Sequence, residues 1–178
     1  MTGPSAGPSA LPESGTFPAA EDLAAKIIEL LTARGETVAV AESLTGGLVS
    51  AALTSVPGSS LAFRGGVVAY ATPLKAALLG VPERLLAEHG PVHPEVAEAM
   101  ARGVANRLDA TFGLATTGVA GPGPADGHPA GTVFVAVGNR LEATVHGLAL
   151  TGTRAEIRAA AVTGVLSALV RELLEDIS

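Results

Sequence analysis

The chain is 178 residues long, 48 % apolar and only 3 % aromatic, so it can bury the core of one domain but must build it from Ala, Val and Leu. Its net charge of −6 and its pI of about 5.1 argue against general nucleic-acid binding, which needs a basic stripe, and leave room for a small anion held by one or two arginines. There is no cysteine, which excludes disulfides, thiol nucleophiles and cysteine-based zinc sites.

Residues 1–20 are rich in Gly, Pro, Ser and Ala and carry neither Lys nor Arg, so they read as a disordered tail rather than a signal peptide. No run approaches the roughly 18 apolar residues needed to cross a bilayer, and a cytoplasmic location with no membrane partner is expected. A helix is predicted from Glu21 to Arg34, with Leu23, Ile27, Leu30 and Leu31 on one face and Gly35 ending it. A short apolar strand follows at Thr37 to Ala41, then a small-residue helix from Thr45 to Thr54. A second strand runs from Phe63 to Ala71. Thr72 suggests an N-cap, with Pro73 at the first position of a short helix that Gly80 ends.

Further helices are predicted at Pro82 to His89 and His93 to Leu108, and a buried strand at Thr111 to Thr117. A Gly- and Pro-dense loop spans Gly118 to Pro129. Strands at Thr132 to Val137 and Glu142 to Leu150 form a hairpin across Gly138-Asn139-Arg140. The last helix runs from Arg154 to Glu175, opened by a Thr153-x-x-Glu156 capping box. Five strands alternating with helices indicate a three-layer α/β/α domain in which one strand opposes the others.

Several residues could carry chemistry. Ser43 lies between a strand and a helix, where backbone N–H groups converge, and is either a helix cap or a nucleophile. Lys75 is one of two lysines against nine arginines, and lysine can lose its proton where arginine cannot. It is either a solvated surface residue or a base whose pKa must fall from about 10.4 to roughly 7–8. The loop Thr116 to Pro124 could cradle a phosphate or a ring, but lacks both the dinucleotide fingerprint and a Walker lysine. Arg154, in the first turn of the last helix, opposes the helix dipole unless an anion sits beside it. Glu42 could orient the lysine or the substrate, or be a surface carboxylate. His89 and His93 are separated by Gly90 and Pro91, which break any shared helix face, so no metal is expected.

Six motifs in order carry a resemblance: Ala41-Glu42-Ser43-Leu44-Thr45-Gly46-Gly47, Pro57-Gly58-Ser59-Ser60, Gly65-Gly66-Val67-Val68-Ala69-Tyr70, Leu79-Gly80-Val81-Pro82, Thr117-Gly118-Val119-Ala120-Gly121-Pro122 and Gly131-Thr132-Val133. Together they resemble the CinA C-terminal domain family, also called PncC, over about Glu21 to Glu175. The resemblance implies a three-layer α/β/α sandwich with a mixed, mostly parallel five-stranded sheet. It implies hydrolysis of nicotinamide mononucleotide to nicotinate mononucleotide and ammonia, as part of pyridine nucleotide recycling, with no metal and no cofactor. It places the nucleophile on Ser43 and its partner on Lys75. Substrate contacts are expected from Glu42, Leu44, Thr45, Gly46, Tyr70, Thr117, Gly118, Ala120, Gly121 and Arg154.

The chain departs from the family pattern at Leu44, where Cys is common, at Thr72 and Pro73, where Asn and Glu are usual, and at His128, where Lys is usual. Family members commonly form dimers or larger homo-oligomers, and many carry an additional N-terminal domain, so this sequence resembles the stand-alone form. A non-catalytic nucleotide-binding role in competence or DNA damage, or an amidase for a related carboxamide, remains as an alternative.

Overall fold

The computed structural model describes residues 19–175. The tail expected over residues 1–20 lies outside them up to residue 18, and Ala20 already opens the first helix. Helix α1 (Ala20–Arg34) buries Leu23, Ile27, Ile28 and Leu31 and closes on Gly35. Strand β1 (Val38–Glu42) is buried along its whole length. Helix α2 (Leu48–Thr54) leads through a single 3₁₀ turn at Ser59–Leu61 to β2 (Phe63–Val68). Helices α3 (Thr72–Leu79), α4 (Glu83–His89) and α5 (Pro94–Arg107) precede β3 (Phe112–Gly118). The chain ends with the hairpin β4 (Thr132–Gly138) and β5 (Ala143–Ala149), then α6 (Arg154–Glu175).

The sheet order is β2-β1-β3-β4-β5. Strands β2, β1 and β3 are parallel, and β4 is antiparallel to both β3 and β5, so four strands share one direction and β4 opposes them. The expected fold class and the opposed strand are both present.

Alternation along the strands divides the core into two unlike layers. Val38, Val40, Val133, Val135 and Val137 face one side, under α1, α2 and α6. Ala39, Ala41, Ala115 and Ala136 face the other, under α5. The small second face lets α5 approach closely: a Cβ on Gly113 would lie 1.9 Å from the Ala101 carbonyl oxygen. An aromatic-poor chain thus packs one helix almost against the backbone of its sheet.

Most predicted boundaries move by a residue or so, and three of the shifts bear on the site. Helix α2 starts at Leu48 rather than Thr45, because Ser43 to Gly47 form a tight turn in which Gly46 and Gly47 take φ of +59° and +103°. Strand β2 ends at Val68 rather than Ala71. The residue capping α3 is Ala71 rather than Thr72, and it makes no side-chain cap bond, which leaves the Thr72 side chain outside the capping role. The capping box of α6 forms as predicted: the Thr153 N–H donates to Glu156 Oε2 at 2.7 Å, and the Glu156 N–H donates to Thr153 Oγ1 at 3.3 Å.

Candidate active site

The chain leaves β1 to one side to form β2 and returns on the other side as β3. The carboxyl ends of β1 and β3 therefore lie at a switch in strand order, where open α/β sheets bind ligands. A cleft of about 190 Å³ opens there.

Glu42, the last residue of β1, is fully buried. Its Oε2 accepts the N–H groups of Gly47 at 2.9 Å and Val49 at 3.1 Å. Its Oε1 accepts the Ser50 N–H at 2.9 Å and the Ser50 hydroxyl at 2.8 Å. The carboxylate supplies what α2 lacks locally, since Gly47 has no side chain with which to cap it. Glu42 is absent from the cleft lining, and its four accepted hydrogen bonds hold the turn and the start of α2 rather than Lys75.

The turn is tied down from two more directions. Thr45 Oγ1 and Thr116 Oγ1 share a buried hydrogen bond of 2.8 Å, linking it to β3. Arg158 of α6 donates Nε to the Leu44 carbonyl at 2.9 Å and a terminal nitrogen to the Thr45 carbonyl at 3.1 Å. Thr45 and Gly46, expected to meet substrate, are outside the cleft lining as well. The Gly46 N–H is committed to the Ser43 carbonyl at 3.1 Å. Arg158 escaped the sequence reading although it lies four residues after Arg154, which places both on one helix face.

Ser43 lines the cleft. It does not cap α2. Lys75 reaches it from the second turn of α3 and is itself buried, with 1 % of its surface exposed. Its Nζ donates to the Ala69 carbonyl at 2.8 Å and to Ser43 Oγ at 3.1 Å. Burial lowers the Lys75 pKa from 10.5 to about 8, with the negative field of Asp126 opposing that fall. The solvated-lysine reading is thereby excluded.

Leu44, Tyr70, Thr117, Gly118, Ala120, Gly121 and Arg154 line the cleft together with Ser43 and Lys75. The Thr117 hydroxyl donates to the Pro91 carbonyl at 2.7 Å, joining β3 to the segment before α5. Arg154 bridges the mouth, donating to the Gly121 carbonyl at 2.6 Å and to the Tyr70 hydroxyl at 3.1 Å. The sequence reading missed Thr72, Pro91, Val92, Ala125 and Asp126 as lining residues. His89 and His93 stack with ring centroids 4.2 Å apart, because Gly90 reverses the chain between α4 and α5. Among the described residues, no group of three or more His, Cys, Asp or Glu side chains is arranged to hold a metal ion. No helix among them is long and apolar enough to cross a membrane.

Residues 20–173 match the CinA C-terminal domain. The chain belongs to the CinA C-terminal domain family. A CinA-like protein of Frankia casuarinae is 49 % identical over 162 residues, covering 90 % of this chain and 37 % of that protein. The chain thus spans little more than a third of the length of that curated relative. Among solved structures, the competence/damage-inducible protein of Agrobacterium tumefaciens superposes with a TM-score of 0.82 at 38 % identity, covering 89 % of this chain and 98 % of that one. A CinA superfamily protein of Escherichia coli gives a TM-score of 0.85 at 29 % identity, covering 92 % of this chain and 95 % of that one. The CinA fold is therefore shared along essentially the whole described chain.

Proposed function

We propose that this CinA-family chain hydrolyses the carboxamide of nicotinamide mononucleotide, giving nicotinate mononucleotide and ammonia. The observation that carries the reading is the buried Lys75 Nζ, 3.1 Å from Ser43 Oγ at the carboxyl end of β1. A pKa of about 8 leaves roughly a tenth of Lys75 neutral at pH 7. The neutral amine accepts the Ser43 proton as Oγ attacks the carboxamide carbon. The carbonyl oxygen becomes an oxyanion. The backbone N–H of Leu44, a residue that lines the cleft, has no protein acceptor among the described residues and suits that charge.

The Lys75 ammonium then gives its proton to the departing nitrogen, and ammonia leaves an acyl ester on Ser43. Water attacks the ester with Lys75 again as base, and nicotinate mononucleotide is released. The mononucleotide's phosphate fits Arg154 at the mouth, whose guanidinium spends two of its five N–H donors on Gly121 and Tyr70. The chain needs no cofactor for this chemistry. Its partner is a small nucleotide rather than nucleic acid.

The deciding experiment is ammonia release from nicotinamide mononucleotide by the purified protein. Release that Ser43→Ala and Lys75→Met both abolish, with folding retained, supports the reading. A folded parent that binds the nucleotide but releases no ammonia overturns it in favour of a binding protein or an amidase for another carboxamide.

A further inference from the structure

The cleft lining carries a charge, on Asp126, that the hydrolytic steps do not use. Ala125 and His128 form an isolated antiparallel bridge, with the Ala125 N–H donating to the His128 carbonyl at 3.0 Å and the reverse bond at 2.9 Å. Asp126 and Gly127 are the two residues between them, at φ of +51° and +78°. Positive φ at both central positions is the signature of a tight two-residue hairpin, in which Asp-Gly is a favoured pair. The hairpin sets Asp126 into the cleft lining, facing the space that Ser43, Lys75 and Arg154 also line.

Four lining side chains can ionise: Lys75, Tyr70, Arg154 and Asp126. Asp126 is the acidic one, and among the described residues it has no hydrogen bond or ion pair. Its field nonetheless reaches Lys75. When Lys75 is neutral, as the attack on an amide requires, that field has no cation at the base of the cleft to answer it. Arg154 at the mouth is already joined to Gly121 and Tyr70. A ligand that places a positive charge between the base and the mouth completes the arrangement.

We infer that Asp126 selects ligands with a cationic ring, so that the site takes N-alkylated pyridinium carboxamides in preference to uncharged carboxamides of the same shape. This rests on the deamidase reading for the identity of the ligand, since the nicotinamide ring of the mononucleotide is a pyridinium. The charges then run in register from mouth to base: phosphate at Arg154, ring cation at Asp126, neutral amide at Ser43 and Lys75. Asp126 acts here as a specificity residue and takes no part in proton transfer. It is solvent-exposed, so its contribution is modest and screened by salt.

The probes are nicotinamide mononucleotide and its dihydro form, which keeps the carboxamide, ribose and phosphate but has an uncharged ring. Binding is measured by calorimetry on Ser43→Ala, which holds either ligand without turnover. The oxidised form should bind about fivefold more tightly than the dihydro form. Asp126→Asn in the same background should bring the two affinities together, and Asn tolerates positive φ, so the hairpin is retained. Added salt should shrink the preference in Ser43→Ala, while its effect on the phosphate is common to both ligands.

Equal affinities in Ser43→Ala, a preference that survives Asp126→Asn, or binding of neither ligand overturns the assignment. Turnover is read separately on the parent. Preference for the cationic ring without ammonia release would remove the deamidase reading and leave Asp126 in place. Ammonia release without preference would do the reverse.

Discussion

The two walls of the cleft are built in opposite ways. On one side the turn Ser43 to Gly47 is held by Glu42 from below, by Thr116 from β3 and by Arg158 from α6, and most of it is buried. On the other, the loop from Val119 to Pro129 is spanned by the small bridge at Ala125 and His128 and tied to α6 by Arg154, with its tip exposed. A nucleophile and base need their geometry before substrate arrives, which over-determined packing provides. Recognition of charge and phosphate tolerates an exposed wall. Substitutions on the first wall should therefore change turnover and stability, and those on the second should change KM.

The largest effect tests the first wall directly. Ser43→Ala and Lys75→Met should each lower kcat at least about a thousandfold in ammonia-release assays, and the double variant should lose little more, because the two act as a unit. An additive loss would break the pairing.

Glu42→Gln should come next. The amide turns donors toward backbone N–H groups that now meet a carboxylate, and loss of charge-assisted bonds to a buried partner should cost about 3 kcal/mol in urea unfolding. Turnover should fall with it although Glu42 touches no substrate. A variant of parental stability would show that the turn holds itself.

Lys75 makes a prediction of similar size in stability. Its pKa is about 8 when folded and 10.5 when not, so between those values the unfolded chain binds more protons and stability must rise with pH. The contribution is complete above pH 10.5 and lost as pH falls through about 8. The unfolding free energy of the parent relative to Lys75→Met should thus rise by about 3 kcal/mol from pH 7 to 10.5. The same pKa should set the rate profile, with kcat/KM climbing about tenfold per pH unit below about 8 and levelling above it. A flat profile would remove Lys75 as the base.

The smallest effect belongs to the second wall. Arg154→Met should raise KM for nicotinamide mononucleotide about tenfold with kcat nearly unchanged, and should barely affect the nucleoside that lacks the phosphate. A fall in kcat for both would mean that the Tyr70–Arg154–Gly121 bridge shapes the base of the cleft as well.

Local signals were read most securely where neighbours in sequence decide the outcome. Helix α1 ends at Gly35, and α6 starts at Arg154 behind its capping box, because both stops depend on backbone bonds within a few residues. The succession of strands and helices along the chain was sufficient for a layered sheet, whereas the division of β1 and β4 into a Val face and an Ala face emerged with the packing of the helices. That one strand opposes the others followed from the short Gly138-Asn139-Arg140 connection, which joins antiparallel neighbours, whereas the pairing of β4 with β3 decided which strand it is.

The roles of charged residues followed another rule. Glu42 read as an orienting group or a surface carboxylate, and it is a buried cap for α2, its oxygens satisfied by residues five to eight positions on, across a turn whose shape the residue pattern does not display. Lys75 looked equally like a surface residue, because nothing local buries it. It sits beside Ser43, 32 residues away in the chain, only because α3 packs on α5 and so carries Lys75 to the carboxyl end of β1. Arg158 and Asp126 were silent for the same reason. The sequence alone determined the fold class, the succession of strands and helices and the chemical identities of Ser43, Lys75 and Arg154. Tertiary structure decided which of them meet, since desolvation and hydrogen bonding act through space and are set by whatever the folded chain brings alongside.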